Sequence, residues 1–252
     1  MANTAPLHVS VRSVGFTPVK GMRHLAQPSA TFDNGGPIGD REFCLVDLST
    51  RRVLKTVQHP SLVAVVAQLD AGCLTLMLPD GRTATGVPAP AGQRLTCTYW
   101  GRNVDLELLD GEHARLVSNW LRRPVRLARA PRGAVVYGDP VTLVTTASLR
   151  RLGELAGLRD LEAQASRFRA TLVIETDAPY VEDSWDGRVL SAADRLLRVG
   201  APIGRCAVID VNPNDGRRDT ALLKALVTGR PVNAAGEPYF GRYASVVSAS
   251  SL

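Results

Sequence analysis

The residue types most able to do chemistry in this chain meet at Arg205-Cys206, where a thiol follows a guanidinium and leads through an apolar run into Asn212-Pro213-Asn214-Asp215-Gly216. Nearby positive charge favours a thiolate, which can bind a soft metal or carry sulfur. The competing reading is a core cysteine, because free cysteine is among the most buried residue types. Upstream, Tyr180-Val-Glu182-Asp183-Ser184-Trp185-Asp186-Gly187 gathers acids, a hydroxyl and an indole. Glu182, Asp183 and Asp186 read either as paired carboxylates for acid/base work or as a solvated acidic turn, with Trp185 a packing residue. Pro18-Val-Lys20-Gly21-Met-Arg23 sets two cations beside a glycine, which suits close approach of a phosphate or pterin, though solvation explains the same charges. Asp40-Arg41 is either a buried ion pair or a guanidinium presented to an anion. The Cys206 segment and the acidic patch at Tyr180 to Gly187 are expected to converge.

These residues need elements to hold them. From Leu7 to about Leu109 the text reads as strands: His8-Val-Ser-Val-Arg-Ser-Val, Phe43-Cys-Leu-Val-Asp, Leu62-Val-Ala-Val-Val-Ala-Gln-Leu, Leu74-Thr-Leu-Met-Leu, Arg94-Leu-Thr-Cys-Thr-Tyr and Val104-Asp-Leu-Glu-Leu. Asn34-Gly-Gly and Pro79-Asp-Gly supply turns between them. This spacing fits a small barrel or a sandwich. After Asp110-Gly111, helical spacing through Ala114, Val117, Trp120 and Leu121 predicts an amphipathic helix ending by Pro124, and further helices are predicted from Thr146 and across Thr220 to Val227. Between them come strands at Leu172-Val-Ile-Glu, near Leu196 to Val199 and at Cys206. Alternation along that last strand would put the Cys206 thiol and Val208 on one face and Arg205 on the other. The domain boundary is expected near residue 111.

Composition narrows the function classes. The chain has 252 residues, 45% of them apolar, enough for a sizeable core. Its net charge of +6 comes from scattered arginines without a block of like charges. No zinc-finger or RNA-recognition signature accompanies them, so nucleic acid is not the expected partner. An anionic small ligand needs only a few arginines. Cys44, Cys73, Cys97 and Cys206 form no Cys-x-x-Cys pair, so neither a zinc ribbon nor an iron–sulfur cluster is suggested, and reduced thiols are expected. The four histidines have no local serine or cysteine partner with an acid, and no glycine-rich nucleotide loop occurs. The N-terminus has no basic start with an apolar core, and no apolar stretch is long enough to span a membrane, so the expected compartment is the cytoplasm, without membrane attachment.

Taken in order, the motifs resemble the MOSC family, the molybdenum cofactor sulfurase C-terminal domain, in the form preceded by a MOSC N-terminal β-barrel. The resemblance covers nearly the whole chain. It rests on Pro18-Val-Lys20-Gly-Met-Arg23, Gly39-Asp40-Arg41-Glu-Phe-Cys-Leu-Val, Thr146-Ala-Ser148-Leu, Phe168-Arg169, Glu182-Asp183-Ser184-Trp185, Arg205-Cys206 and Asn212-Pro213-Asn214-Asp215-Gly216. It implies a mixed α/β, β-rich fold: a barrel-like domain over 1–110, then a MOSC β-barrel domain with peripheral helices over 111–252. In the amidoxime-reducing branch that the chain resembles, the cysteine of the Arg-Cys pair ligates molybdenum held by a pterin dithiolene; Cys206 is its counterpart. The resemblance further implies cofactor contacts at Lys20, Gly21, Arg41, Arg169, Thr171 and Arg205, hydroxyl donors at Thr145, Thr146 and Ser148, and proton delivery by Asp183 or Glu182. The chain departs from the family pattern at Gly21, at Ala170-Thr171 and at Asn212-Pro213-Asn214-Asp215-Gly216. It also stops at Ser250-Ser-Leu252, where relatives continue into a further strand, so an unpaired sheet edge or a specialised branch is expected.

Three functions follow from the resemblance. One is a molybdenum cofactor (molybdopterin) oxidoreductase that removes oxygen from N-hydroxylated or N-oxide small molecules. Because the chain has neither an iron–sulfur cysteine set nor a flavin fingerprint, its electrons would come from a separate ferredoxin, flavoprotein or b-type cytochrome. The second is a sulfurtransferase using a Cys206 persulfide. The third is a carrier of the molybdenum cofactor without turnover.

Overall fold

Alternating apolar residues in the first half close a small barrel. In the computed structural model, which describes residues 5–247, its strands are Phe43–Asp47, Arg52–Val53, Ala89–Tyr99, Arg102–Asp110 and Arg126–Arg129. Along Arg102–Asp110 the pleat buries Val104, Leu106 and Leu108 while Asn103 and Asp105 face water. These inward residues pack with Cys44, Val46, Tyr99 and Ala128. The strand Phe43–Asp47 is buried on both faces. Its Phe43 and Leu45 pack outward into a second core with Leu74 and Leu76 from the three-stranded sheet, and Val117 from helix α1 (Glu112–Leu121). Each fully buried leucine of this kind contributes about 1.5–3 kcal/mol.

The second assembly is an eight-stranded sheet. Its order runs Leu7–His8, Val189–Ala192, Arg195–Gly204, Tyr239–Val246, Val141–Thr145, Leu172–Ile174, Val11–Phe16 and Leu25–Gln27. Helices α2 (Thr146–Ala156) and α3 (Leu222–Gly229) bury Leu149, Leu152, Leu222 and Leu226 in a core with Phe168 and Phe240. Strand pairing crosses residue 111 in both directions, since the N-terminal strands join this sheet and Arg126–Arg129 joins the barrel. Arg132, on the connecting loop, donates to the carbonyls of Gly36, Pro37 and Asp40 and pairs with Asp33. No helix among the described residues is long and apolar enough to cross a membrane.

Two local expectations need correction. The run from Leu62 to Leu69 is not one strand: Pro60–Ala64 forms a 3-10 turn and the strand is Val66–Asp70. Pro60 opens that turn with its fixed φ, and burial of Leu62, Val63 and Ala64 removes the alternation that would mark a strand. Cys206 does not lie on a strand either. The strand ends at Gly204 and Ala207–Asp210 is a 3-10 turn, so strand alternation does not set the direction of the thiol. Tyr239–Val246 is paired on both sides. The segment Ser250–Leu252 lies outside the described residues.

Candidate active site

Where the barrel meets the large sheet, a cavity of about 310 Å³ collects cations from distant parts of the chain. Lys20 and Arg41 come from neighbouring backbone segments: Lys20 N–H donates to the Phe43 carbonyl, Phe43 N–H to that of Pro18, and Arg41 N–H to that of Thr17. Asp40 accepts from Thr17 N–H and pairs with Arg41 at 3.0 Å, so the dipeptide is an ion pair, and Arg41 also lines the cavity. Arg169 follows the 3-10 turn Ala165–Phe168, and its Nη1 reaches the Met22 carbonyl at 2.7 Å. Arg205 donates through Nε to the Phe240 carbonyl and through Nη1 to that of Phe168.

These anchors leave donors unused. Arg169 Nη2 and Arg205 Nη2 are buried without a hydrogen-bond partner. Burial, then Arg41 and Arg169, lowers the Lys20 ammonium to about 7, and burial first lowers Arg169 and Arg205 to about 10. Burying a guanidinium donor without an acceptor is costly. Six cations line the cavity, Lys20, Arg41, Lys55, Arg167, Arg169 and Arg205, against two acids, Asp139 and Glu237. The wall is therefore complementary to an anion.

Cys206 opens onto this cavity and is exposed, whereas Cys44 and Cys97 are buried with thiols that burial pushes up. The core reading of Cys206 therefore fails. The turn Asn212–Gly216 does not line the cavity and instead braces it. Asn212 Nδ2 donates to Asp219, which receives both guanidinium nitrogens of the cavity-lining Arg167 at 2.8 Å. Arg23 bonds the Asn214 carbonyl and ties this turn to the first half.

The acidic patch does not converge on the thiol. Glu182 is buried, and its Oε2 accepts from Thr145 Oγ1 at 2.9 Å and Ser148 Oγ at 3.0 Å, while Oε1 has no partner. Burial raises its carboxyl above the ordinary value. Asp183 pairs with Arg230 and Asp186 with Arg242. Trp185 is a core residue. Of the hydroxyls expected at the cofactor, Thr145 and Ser148 serve Glu182, Thr146 bonds the Thr176 backbone and Thr171 bonds Thr142. Gly21 does not line the cavity and takes φ +90° beside Thr56 and Leu62. Sequence reasoning passed over Lys55, Trp100, Tyr137, Arg167 and Tyr243, all of which line the cavity. The Trp100-Gly101 pair, a bulky residue in a tight turn, was the available signal.

The family model described as the MOSC N-terminal beta barrel domain matches residues 8–124, and that described as the MOSC domain matches residues 130–252. The chain belongs to the MOSC family. This MOSC chain is 25% identical over 83% of its length to the molybdenum cofactor sulfurase of Caenorhabditis elegans, and 26% identical over 90% to that of Drosophila grimshawi. It spans 30% and 31% of the length of those relatives. A zebrafish (Danio rerio) molybdenum cofactor sulfurase is 34% identical over 36% of the MOSC chain and 10% of that protein. A solution structure of a Bordetella bronchiseptica protein, 21% identical, covers 45% of the chain and 93% of its own, with a TM-score of 0.30.

Proposed function

We propose that this protein binds the molybdenum cofactor in the cationic cavity and uses it to reduce N-hydroxylated or N-oxide small molecules, with Cys206 as the protein ligand to the metal. The observation that carries this reading is the exposed Cys206 thiol on the same cavity as Lys20, Arg41, Arg169 and Arg205.

The residues present fit such a group. Its pterin bears a phosphate, and the unpartnered Nη2 atoms of Arg169 and Arg205 are donors that an anion would satisfy. Among the described residues, no three His, Cys, Asp or Glu side chains gather to hold a metal ion. A metal at Cys206 would therefore arrive with ligands of its own, as a dithiolene provides. When bound, the cofactor supplies two-electron oxygen transfer. Lys20, Arg41 and Arg169 hold its anionic portion, and Arg205, fixed to the carbonyls of Phe168 and Phe240, fixes the backbone beside the thiol. Reduction of an N–OH group consumes two electrons and two protons and releases water. The electrons come from a separate donor protein, a ferredoxin, flavoprotein or b-type cytochrome. Glu182 and Asp183 do not line the cavity, so this reading assigns proton delivery to neither of them.

A second reading is sulfur transfer through a Cys206 persulfide, favoured by relatives named molybdenum cofactor sulfurase and by the exposed thiol. Molybdenum and pterin content of freshly purified protein, wild type against Cys206→Ser, tests the first reading, together with reduction of benzamidoxime by an artificial electron donor. Turnover that vanishes with the metal in the variant supports it. Metal-free protein carrying cyanide-releasable sulfur that disappears in Cys206→Ser replaces it with the second. Bound cofactor without turnover on any N-hydroxylated substrate makes the protein a carrier.

A further inference from the structure

The mouth of the cavity carries an aromatic pair. Trp100 and Tyr137 both line the cavity, and among the described residues no other aromatic side chain is exposed. Their rings stand edge to face with centroids 4.9 Å apart, and Lys55 Nζ lies 3.8 Å from the centre of the Trp100 ring.

Trp100 occupies its place at a backbone cost. With Gly101 it forms the two-residue turn between Ala89–Tyr99 and Arg102–Asp110, where Tyr99 pairs with Arg102. The pair takes φ +48° and +80°. Such a turn favours Asn-Gly or Asp-Gly, and a left-handed conformation costs an ordinary L-residue about 1–2 kcal/mol. A bulky side chain there is a marked departure, and the indole, 46% exposed, lies outside the hydrophobic cores. Strained residues of this kind concentrate where they serve a ligand. Tyr137 is held beside it by the next residue of the hairpin: the Arg102 guanidinium donates to the carbonyls of Ala134 and Val136, fastening the loop that carries Tyr137.

We infer that Trp100, Tyr137 and Lys55 form a recognition rim that selects planar aromatic substrates bearing a carboxylate. The indole and phenol rings supply stacking and edge contacts for an aromatic ring. Lys55, poised on the indole, supplies the charge for an anionic substituent. The excess of cations in the cavity draws that anion in. This inference rests on the proposed reduction of N-hydroxylated compounds and names the substrate class for it.

The test compares 4-carboxybenzamidoxime, benzamidoxime and acetamidoxime on cofactor-loaded wild type, Trp100→Asn, Tyr137→Ala and Lys55→Gln. Asparagine suits the turn, so Trp100→Asn keeps the wild-type unfolding midpoint or exceeds it. It nevertheless lowers the preference for benzamidoxime over acetamidoxime in kcat/KM about three- to tenfold. Lys55→Gln lowers the preference for 4-carboxybenzamidoxime over benzamidoxime. Equal effects on aromatic and aliphatic substrates, or none, overturn the rim. Should wild type turn over none of the three, the reductase reading fails separately. The rim is then judged by saturation-transfer NMR with 4-carboxybenzamidoxime on the same proteins: a signal weakened in Trp100→Asn sustains it, and a signal equal to wild type, or none in wild type, sinks it.

Discussion

Arg169 Nη1 donates to the Met22 carbonyl at 2.7 Å while its Nη2 is left buried and unpartnered. One guanidinium thus joins the eight-stranded-sheet side of the molecule to the segment that carries Lys20 and still holds a donor in reserve. Lysine cannot do both, because it has a single ammonium in place of a planar fork. Arg169→Lys is expected to weaken pyrophosphate binding about tenfold or more by titration calorimetry. Arg169→Met also strands the Met22 carbonyl and costs about 1–3 kcal/mol in denaturant unfolding. Unchanged binding in both variants would place the anion site elsewhere.

Lys20 gives that binding a pH dependence. Its ammonium is lowered to about 7 by burial and by Arg41 and Arg169, so near neutral pH it is divided between charged and neutral forms. A bound anion favours the charged form, so binding takes up protons and affinity falls as pH rises above about 7. Lys20→Met flattens that slope. Stability follows the same linkage: between about 7 and the unfolded value of about 10.4 the unfolded chain binds more protons, so this group makes the fold more stable as pH rises. Below that window Lys20→Met is expected to be the more stable protein by about 1–3 kcal/mol, an advantage that shrinks in alkali. Parallel unfolding curves for the two proteins at all pH values would contradict this.

Glu182 is buried against Thr145 and Ser148 and does not line the cavity. Burial raises its carboxyl above the usual 4.5, so the folded state holds the proton more tightly. The associated stability is present in acid and lost as pH rises through the raised value. Glu182→Gln is expected to remove this loss in urea unfolding measured against pH. Glu182→Ala removes the acceptor that Thr145 and Ser148 share, leaving their hydroxyls only each other, and costs about 1–3 kcal/mol. The pH profile of amidoxime reduction stays as in wild type in Glu182→Gln. A shifted profile would return Glu182 to proton delivery.

Gly241 is a packing requirement of the site. A Cβ there would lie 2.4 Å from the Leu143 carbonyl oxygen and 3.1 Å from Arg205 Nη2, on a backbone with φ +77°. Gly241→Ala is expected to lose about 2–4 kcal/mol of stability and to reduce anion affinity with it. Retention of both would show that the strand Tyr239–Val246 yields more readily than its pairing on both sides suggests.

Much of the architecture was legible because it depends on local pattern. Alternation in Val104-Asp-Leu-Glu-Leu, the turns Asn34-Gly-Gly and Pro79-Asp-Gly, and helical spacing through Ala114, Val117 and Leu121 each encode an element within a few residues. The run from Leu62 and the segment at Cys206 escape local pattern, the first because consecutive buried residues after Pro60 carry no alternation and the second because the strand ends at Gly204 and a 3-10 turn follows. The ordered motifs pointed to Lys20, Arg41, Arg169, Arg205 and Cys206, and these line one cavity.

By itself the sequence determined which residues carry charge and sulfur and the elements on which most of them ride, since residue type and short-range period are properties of adjacent positions. The tertiary structure decided which of them meet. It drew Lys20, Arg169 and Cys206 to one cavity, turned Glu182 inward onto Thr145 and Ser148, and set Trp100 against Tyr137. Those outcomes depend on long-range strand pairing and on buried hydrogen bonds between segments more than a hundred residues apart, as from Arg169 to Met22, which no local pattern contains.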